Sequence, residues 1–327
     1  MADSNTDGRS PGARLRVLMD DHCVAAPGAF NGLVAMAVAK AGFEACYVSG
    51  GATSVAAGVP DVGILTLEHF VRTVREVTDG SGLPVLADAD TGFGEAEMVR
   101  RTVIEYAKAG AAGLHLEDQV FPKRCGHLDG KKLVPVDHMV EKIRWAAGGA
   151  RDSDEATERR SDGGGKDRKG FIICARTDAR GVEGIEAAVE RAQAYVQAGA
   201  DMIFPEGLTT ETEFAQFAEA MDPDGQMGRK TQRGLGADRA GRPYLLANMT
   251  EFGKTPMIGL KRFEEMGYDL VIYPVSLLRV AMGAVTQALD VLKREGSLEL
   301  MLDHMQTREE LYGLVGYTPG EGWEFPA

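Results

Sequence analysis

Positive charge is in short supply in this chain. Its 36 lysines and arginines stand against 49 aspartates and glutamates, a net charge of −13. That balance argues against nucleic acid or an anionic membrane surface as the main partner. It also sets a requirement: a site for an anionic substrate must gather its own cations against an acidic background. No apolar run approaches the roughly eighteen residues of a membrane helix. Residues Met1–Arg14 are polar, contain Asp3 and Asp7, and lack the apolar stretch of a secretory signal, so 1–14 is expected to be a disordered tail. Four cysteines in 327 residues exclude a disulfide scaffold and fit a reducing cytoplasm. A G-x-G-x-x-G fingerprint after a strand is missing, which weakens a dinucleotide-binding reading.

What the chain has is alternation. Hydrophobic residues make up 44% and charged residues 26%, ample for a large core. Short apolar runs near 22–26, 44–48, 84–88, 112–116, 171–175, 201–204, 244–247 and 269–273 read as strands. Amphipathic segments such as 31–41, 96–109, 136–147, 185–198 and 277–294 lie between them, and three end in the Ala-Gly stop expected before a strand (Gly42, Gly110, Gly199). Strands alternating with helices imply a parallel sheet covered on both faces. Eight such units favour an α/β fold of the (β/α)₈ TIM-barrel type over residues 15–327, with an additional C-terminal helical segment and no second domain. Two polar stretches, 148–170 and 222–242, interrupt the rhythm and are expected to be mobile surface loops on the face opposite the site.

A barrel builds its active site from the C-terminal ends of its strands. Seven of the eight expected ends carry polar, Gly-flanked or ionisable groups, which is the sequence argument for an enzyme. Asp88 and Asp90, two apart on a strand, are expected to share a face and to need a cation between them. Mg²⁺, or Mn²⁺, bound through oxygen is the natural choice, with Glu117 and Asp61 able to ligate through water. Around Lys123-Arg124-Cys125-Gly126-His127, two cations and an imidazole favour a thiolate, so Cys125 is the candidate to exchange a proton with a carbanion. Phe121-Pro122 and Gly130 resemble hinges of a lid, and Lys123 and Arg124 are candidates to hold a carboxylate. Cys23, Cys46 and Cys174, in apolar runs, read as small core residues. Arg176 and Arg279 are candidate carboxylate forks, whereas Arg308 reads as a surface charge. Asn248 and Thr250 offer neutral hydrogen bonds, and Ser49, Gly50 and Gly51 offer a hydroxyl and backbone N–H groups to an oxyanion.

The segments PGAFNGLVA, YVSGGATSVAAGVPD, LADADTGFG, GLHLEDQVFPKRCGHLDGK, ARTDA, ANMTEFGKTP, YPVSLLR and MQTREELY carry a resemblance to the isocitrate lyase/phosphoenolpyruvate mutase superfamily, from about Arg14 to Tyr317. The resemblance implies that Asp88 and Asp90 hold Mg²⁺ with Asp61 and Glu117 in its water shell. It implies that Ser49, Gly50, Gly51, Cys125, Gly126, Arg176, Glu206, Asn248, Thr250, Arg279 and Arg308 contact a small polycarboxylate. It further implies a cytoplasmic homotetramer that exchanges a terminal helix, with Leu298–Tyr312 against a partner. The implied activity is cleavage of the C2–C3 bond of 2-methylisocitrate to pyruvate and succinate, in the methylcitrate cycle of propionate catabolism. Cys125 would protonate the succinate carbanion, and Tyr47, at a strand end, is a candidate relay for the hydroxyl proton. Rival readings are isocitrate cleavage to glyoxylate and succinate, a related lyase or hydrolase acting on dimethylmalate or oxaloacetate, and, from another class, a mutase-like or binding protein without chemistry at Cys125.

Overall fold

A computed structural model describes residues 8–124, 130–158, 170–222 and 242–323. Eight parallel strands form one sheet: β1 (Val24–Pro27), β2 (Cys46–Val48), β3 (Val85–Asp88), β4 (Gly113–Glu117), β5 (Ile172–Thr177), β6 (Met202–Pro205), β7 (Tyr244–Asn248) and β8 (Leu270–Tyr273). Their order is β1-β8-β7-β6-β5-β4-β3-β2, and a bridge from Gly28 to Tyr47 brings β1 back to β2. This is the expected eight-stranded barrel. Nearly every strand residue is buried, because the lumen takes one side of each strand and a helix covers the other. Val24, Ala26, Leu86, Cys174, Met202, Phe204, Leu246 and Ile272 fill the lumen, while Val85, Ala87, Leu114, Ile173, Ile203 and Val271 pack outward under the helices.

The helices are α1 (Pro11–Asp21), α2 (Gly32–Lys40), α3 (Gly50–Ala56), α4 (Leu67–Ser81), α5 (Ala96–Lys108), α6 (Val136–Glu158), α7 (Ile185–Ala198), α8 (Glu211–Ala220), α9 (Leu260–Glu265), α10 (Ser276–Glu295) and α11 (Arg308–Leu314). Three sequence expectations need correction. The tail does not extend to residue 14: Ser10 caps α1 by accepting from Ala13 N at 3.3 Å, and Pro11 opens the helix. Leu15 and Met19 of α1 are fully buried with the lumen residues and close the barrel bottom. Burying them stabilises by about 1.5–3 kcal/mol each. Gly12 makes that approach possible, since a Cβ there would stand 1.9 Å from Gly170 O.

The polar stretch 148–170 begins as helix, not loop. Helix α6 runs on to Glu158, burying Ala150 and placing Gly149 2.9 Å (by its would-be Cβ) from Arg100 O of α5. Arg100 and Asp152 pair at 2.6 Å. The Asp154 carboxylate accepts from Gly170 N and Phe171 N at 2.9 and 3.2 Å, which ties the helix to the entry of β5. Charged residues on the outer side of a long helix read as loop when their periodicity is overlooked. The remainder, 159–169, lies outside the described residues, as do 223–241. The two ends of the second stretch are not surface loop: Asp222 is buried, and Arg242 donates to Gly267 O at 2.6 Å.

Beyond the barrel, α10 buries only Leu278 and Val291, leaving Val280, Val285 and Leu289 exposed. A 3₁₀ stretch, Glu299–His304, and α11 complete the C-terminal helical segment. Among the described residues no helix is long and apolar enough to cross a membrane.

Candidate active site

Strand β3 delivers Asp88 to the barrel mouth, and there it stops. Asp90 is not on a continuing strand, as its spacing suggested; it sits at φ 47°, in the left-handed region, in a turn where Asp88 Oδ1 accepts from Asp90 N at 2.9 Å. The two carboxylates nevertheless converge. A Cβ on Gly50 would stand 2.6 Å from Asp88 Oδ2 and 3.1 Å from Asp90 Oδ1, so glycine is needed there for both acids to close in. Burial would raise the Asp88 pKa, but the facing His115, Lys123 and Arg176 hold it below the usual range. Asp90 is pushed up by burial, against Lys123 and with the like charge of Asp88. One acid is strongly charged and its neighbour resists charging, the signature of two carboxylates short of a counter-ion.

Lys123 supplies part of that charge. Its ammonium is almost fully buried and lies 2.5 Å from Asp61 Oδ1 and 2.6 Å from Asp90 Oδ1. The sequence placed Lys123 on a substrate carboxylate; here it is held by the chain's own acids. Among the described residues no group of three His, Cys, Asp or Glu side chains stands in metal-holding geometry. Lys123 Nζ takes the place between Asp61 and Asp90. Yet the donor set suits a hard cation: Asp88, Asp90, Asp61 and Glu117 bring carboxylates to one mouth where Lys123 and Arg176 meet only some of their oxygens, and Glu117 Oε1 is buried without a hydrogen bond.

Arg176 lies within β5, since that strand runs on to Thr177. Its Nε and Nη2 donate to Asp178 at 3.0 and 3.2 Å, and Nη1 stands 3.2 Å from Glu117 Oε2. The guanidinium packs 5.2 Å from the centre of the Phe204 ring. The bidentate partner expected to be substrate is therefore the chain's own Asp178, which also accepts from Lys131 Nζ at 2.6 Å. Burial pushes Glu117 well up, with Arg176 and Lys123 opposing. Asp118 works behind this layer, accepting from Thr177 Oγ1 at 2.7 Å, Asp178 N at 2.9 Å and Tyr195 OH at 2.9 Å.

Tyr47 and His115, on β2 and β4, are joined by a 2.7 Å hydrogen bond between the phenol and Nε2, both buried. Burial pushes His115 down to about 4, so the imidazole is neutral at neutral pH and its Nε2 can accept a hydrogen bond from the phenol. Burial likewise pushes the Tyr47 phenol well up. His115 was missed by sequence reasoning; the signal was a histidine alternating with Glu117 on an otherwise apolar run. Asp178, Asp118 and Gln119 were missed too.

Ser49 and Gly50 are engaged within the chain. The Ser49 hydroxyl caps α3, accepting from Ala52 N at 3.2 Å, and Gly50 N donates to Asp88 Oδ2 at 3.0 Å. Gly51 follows in the first turn of α3, its would-be Cβ 3.5 Å from Asp61 Oδ2. Asn248 Nδ2 donates to Glu206 Oε2 at 3.1 Å across β6 and β7, which leaves the buried Asn248 Oδ1 without a hydrogen bond. Arg279, at the start of α10, reaches Thr250 Oγ1 at 3.3 Å and Glu251 Oε2 at 3.0 Å. Arg308 is exposed in the first turn of α11, a helix that packs against α2. Cys125, Gly126 and His127 lie outside the described residues; Arg124 is described and exposed. A cavity of about 630 Å³ lies beside this cluster, lined by Phe93, Met98, Gln119, Phe121, His138 and Lys142 among others. None of Asp88, Asp90, Glu117 and Arg176 lines it, so the charged mouth, not this cavity, is the chemical centre.

The arrangement can bind a polyanion beside oxygen donors, with a neutral imidazole–phenol pair at hand for a proton. The chain is similar to known proteins along most of its length. A family model described as phosphoenolpyruvate phosphomutase matches residues 15–293. A probable 2-methylisocitrate lyase of Corynebacterium glutamicum is 46% identical over 310 residues, covering 95% of this chain and 90% of its own. The 2-methylisocitrate lyase of Aeropyrum pernix is 44% identical (94% and 88% covered), and that of Escherichia coli 39% (94% and 93%). Among solved structures, a 2,3-dimethylmalate lyase described as a PEP mutase/isocitrate lyase superfamily member superposes with a TM-score of 0.77 at 34% identity, covering 94% and 92% of the two chains. A phosphonopyruvate hydrolase complex with oxalate and Mg²⁺ gives 0.74 at 26% identity, covering 94% and 95%.

Proposed function

The chain belongs to the phosphoenolpyruvate phosphomutase/isocitrate lyase family, and from that premise we propose that it is a Mg²⁺-dependent lyase cleaving the C2–C3 bond of 2-methylisocitrate to pyruvate and succinate. The observation that carries this is near-full-length similarity to several 2-methylisocitrate lyases, in a chain whose carboxylates and Arg176 meet at one barrel mouth. Membership also bears out the resemblance read from the motifs.

Asp88 and Asp90 would hold Mg²⁺, or Mn²⁺, with Asp61 and Glu117 in its water shell; the related hydrolase bound to oxalate and Mg²⁺ supports that choice. When bound, the cation would polarise the 2-hydroxycarboxylate and offset the crowded acids. The protein groups then divide the proton work. The C2 hydroxyl proton would pass to the Tyr47 phenol oxygen as the phenol's own proton moves along its hydrogen bond to Nε2 of His115. The C2–C3 pair of electrons moves to C3 as C2 becomes the ketone of pyruvate. The Cys125 thiol gives its proton to C3, completing succinate. His127, two residues on, and Arg124 bias the thiol toward that exchange. Asn248, Thr250, Arg279, Glu206 and the Ser49-Gly50-Gly51 segment would form the wall for the remaining carboxylates, and Gly126 would contact the substrate beside them.

The proposed setting is propionate catabolism through the methylcitrate cycle, in the cytoplasm, where the free thiols of Cys23, Cys46 and Cys174 stay reduced. The proposed assembly is a homotetramer that exchanges its terminal helix. The exposed apolar face of α10, with Val280, Val285 and Leu289, supports it. In that assembly Arg308 would complete a site. Light scattering should give four times the chain mass; a monomer would overturn the assembly.

With Mg²⁺ present, the purified protein is expected to release pyruvate from 2-methylisocitrate faster than glyoxylate from isocitrate. Both keto acids are measured side by side. One methyl group in a pocket is worth only about 1–3 kcal/mol, so a preference of about 10- to 200-fold is the expected scale. No pyruvate from 2-methylisocitrate would sink the assignment.

A further inference from the structure

We propose that Gln119 is a positioning residue that sets where the chain leaves for Cys125, by clamping the backbone of Arg124 with its side-chain amide.

Gln119 is 2% exposed, just past the end of β4, and it is tied on both sides. Its backbone forms an isolated antiparallel bridge with Leu133, flanked by Val120 N to Lys132 O at 2.8 Å and Val134 N to Asp118 O at 2.9 Å. These bonds zip the outgoing and returning legs of the loop together. Its side chain does the rest: Oε1 accepts from Arg124 N at 2.9 Å and Nε2 donates to Arg124 O at 2.8 Å. The amide thus pairs with one residue as a neighbouring strand would, and only a primary amide offers an acceptor and a donor at that spacing. Glutamate would set an oxygen against the Arg124 carbonyl, and an apolar side chain would leave both backbone groups without this partner.

The clamp closes a short loop from 119 to 124. Within it stands Lys123, whose ammonium meets Asp61 and Asp90. Immediately beyond it comes Cys125. One side chain therefore fixes both the cation among the acids and the starting point of the segment carrying the thiol. A displacement of about 1 Å at a reacting group can cost about 10²-fold in rate, so such an anchor matters to chemistry even though it touches no substrate.

The inference rests on the reading of Cys125 as proton donor, and its test keeps the two apart. The full chain and its Gln119→Met and Gln119→Glu variants are compared for kcat and KM with Mg²⁺ and 2-methylisocitrate, and for the rate at which iodoacetamide labels Cys125, read by mass spectrometry. Cys23, Cys46 and Cys174 are buried, and burial pushes the Cys46 thiol up to about 12, so labelling reports the loop. The expected result is a fall in kcat of at least about tenfold, KM changed by less than about threefold, and faster labelling of Cys125, with an unchanged circular-dichroism spectrum. The Glu variant serves if the Met variant fails to fold, because it keeps the acceptor toward Arg124 N. An unchanged kcat, or a loss of kcat with wild-type labelling, would overturn the clamp. If the unmodified protein releases no pyruvate, the functional reading fails, while the labelling rates still decide whether Gln119 holds the loop.

Discussion

Replacing Cys125 by serine is expected to lower kcat by about 10²–10⁴-fold, the range of a lost general acid, and to leave the unfolding temperature unchanged. The substitution conserves shape and alters acidity. An alcohol is a far weaker acid than a thiol, and a proton donor works best when its pKa lies near the operating pH. Lys123, which the sequence offers as a neighbouring cation, spends its charge on Asp61 and Asp90. In the proposed mechanism the task of favouring the thiolate would therefore fall to Arg124 and His127. The measurement is steady-state pyruvate release beside thermal unfolding of the same preparation. Full activity in Cys125→Ser would remove the residue from the mechanism; inactivity with a collapsed fold would show a packing role instead.

Much of the barrel was legible because of how parallel strands are buried. Covered on both faces, they read as unbroken apolar runs, and glycine stops such as Gly110 and Gly199 mark the helix ends before them. What escaped were elements whose apolar residues are few. Helix α1 shows only Leu15, Val17, Leu18 and Met19 among polar neighbours, although Ser10-Pro11 is a helix-start signal. The charged half of α6 hid in the same way. At the site, the identity of the acids was visible, but their partners were not. That Asp178 takes the fork of Arg176, and Lys123 the gap between Asp61 and Asp90, depends on which of several nearby opposite charges meets which. Spacing brings such residues to one rim without saying how they pair. Asp90 shows the limit: the two-residue spacing suggested a shared strand face, and a turn with a left-handed residue produced the convergence instead.

Arg176→Met should be the most damaging single change for stability as well as activity. Arg176 is one of the cations that Glu117 and Asp178 face, and all three are buried. Forming such a cluster brings little net stability, because removing charges from water offsets their attraction. Removing one member is different: breaking a buried pair costs about 3–5 kcal/mol, since the remaining charge has neither water nor partner. For a chain of this size that corresponds to a fall in Tm of about 5 °C. Lys131 still faces Asp178 at 2.6 Å, so the loss falls hardest on Glu117, which then protonates or draws in water. Two further variants separate structure from chemistry. Arg176→Met with Glu117→Gln removes the carboxylate left without a partner and should recover part of the Tm without recovering turnover. Arg176→Lys keeps a charge but lacks the fork that meets Asp178 through two nitrogens. It should be more stable than the methionine variant and still slower than the parent by about 10²-fold, the scale of a misplaced charge at a reacting centre. A methionine variant as stable as the parent would mean that Glu117 and Asp178 are satisfied by other groups, and that Arg176 is there for substrate alone.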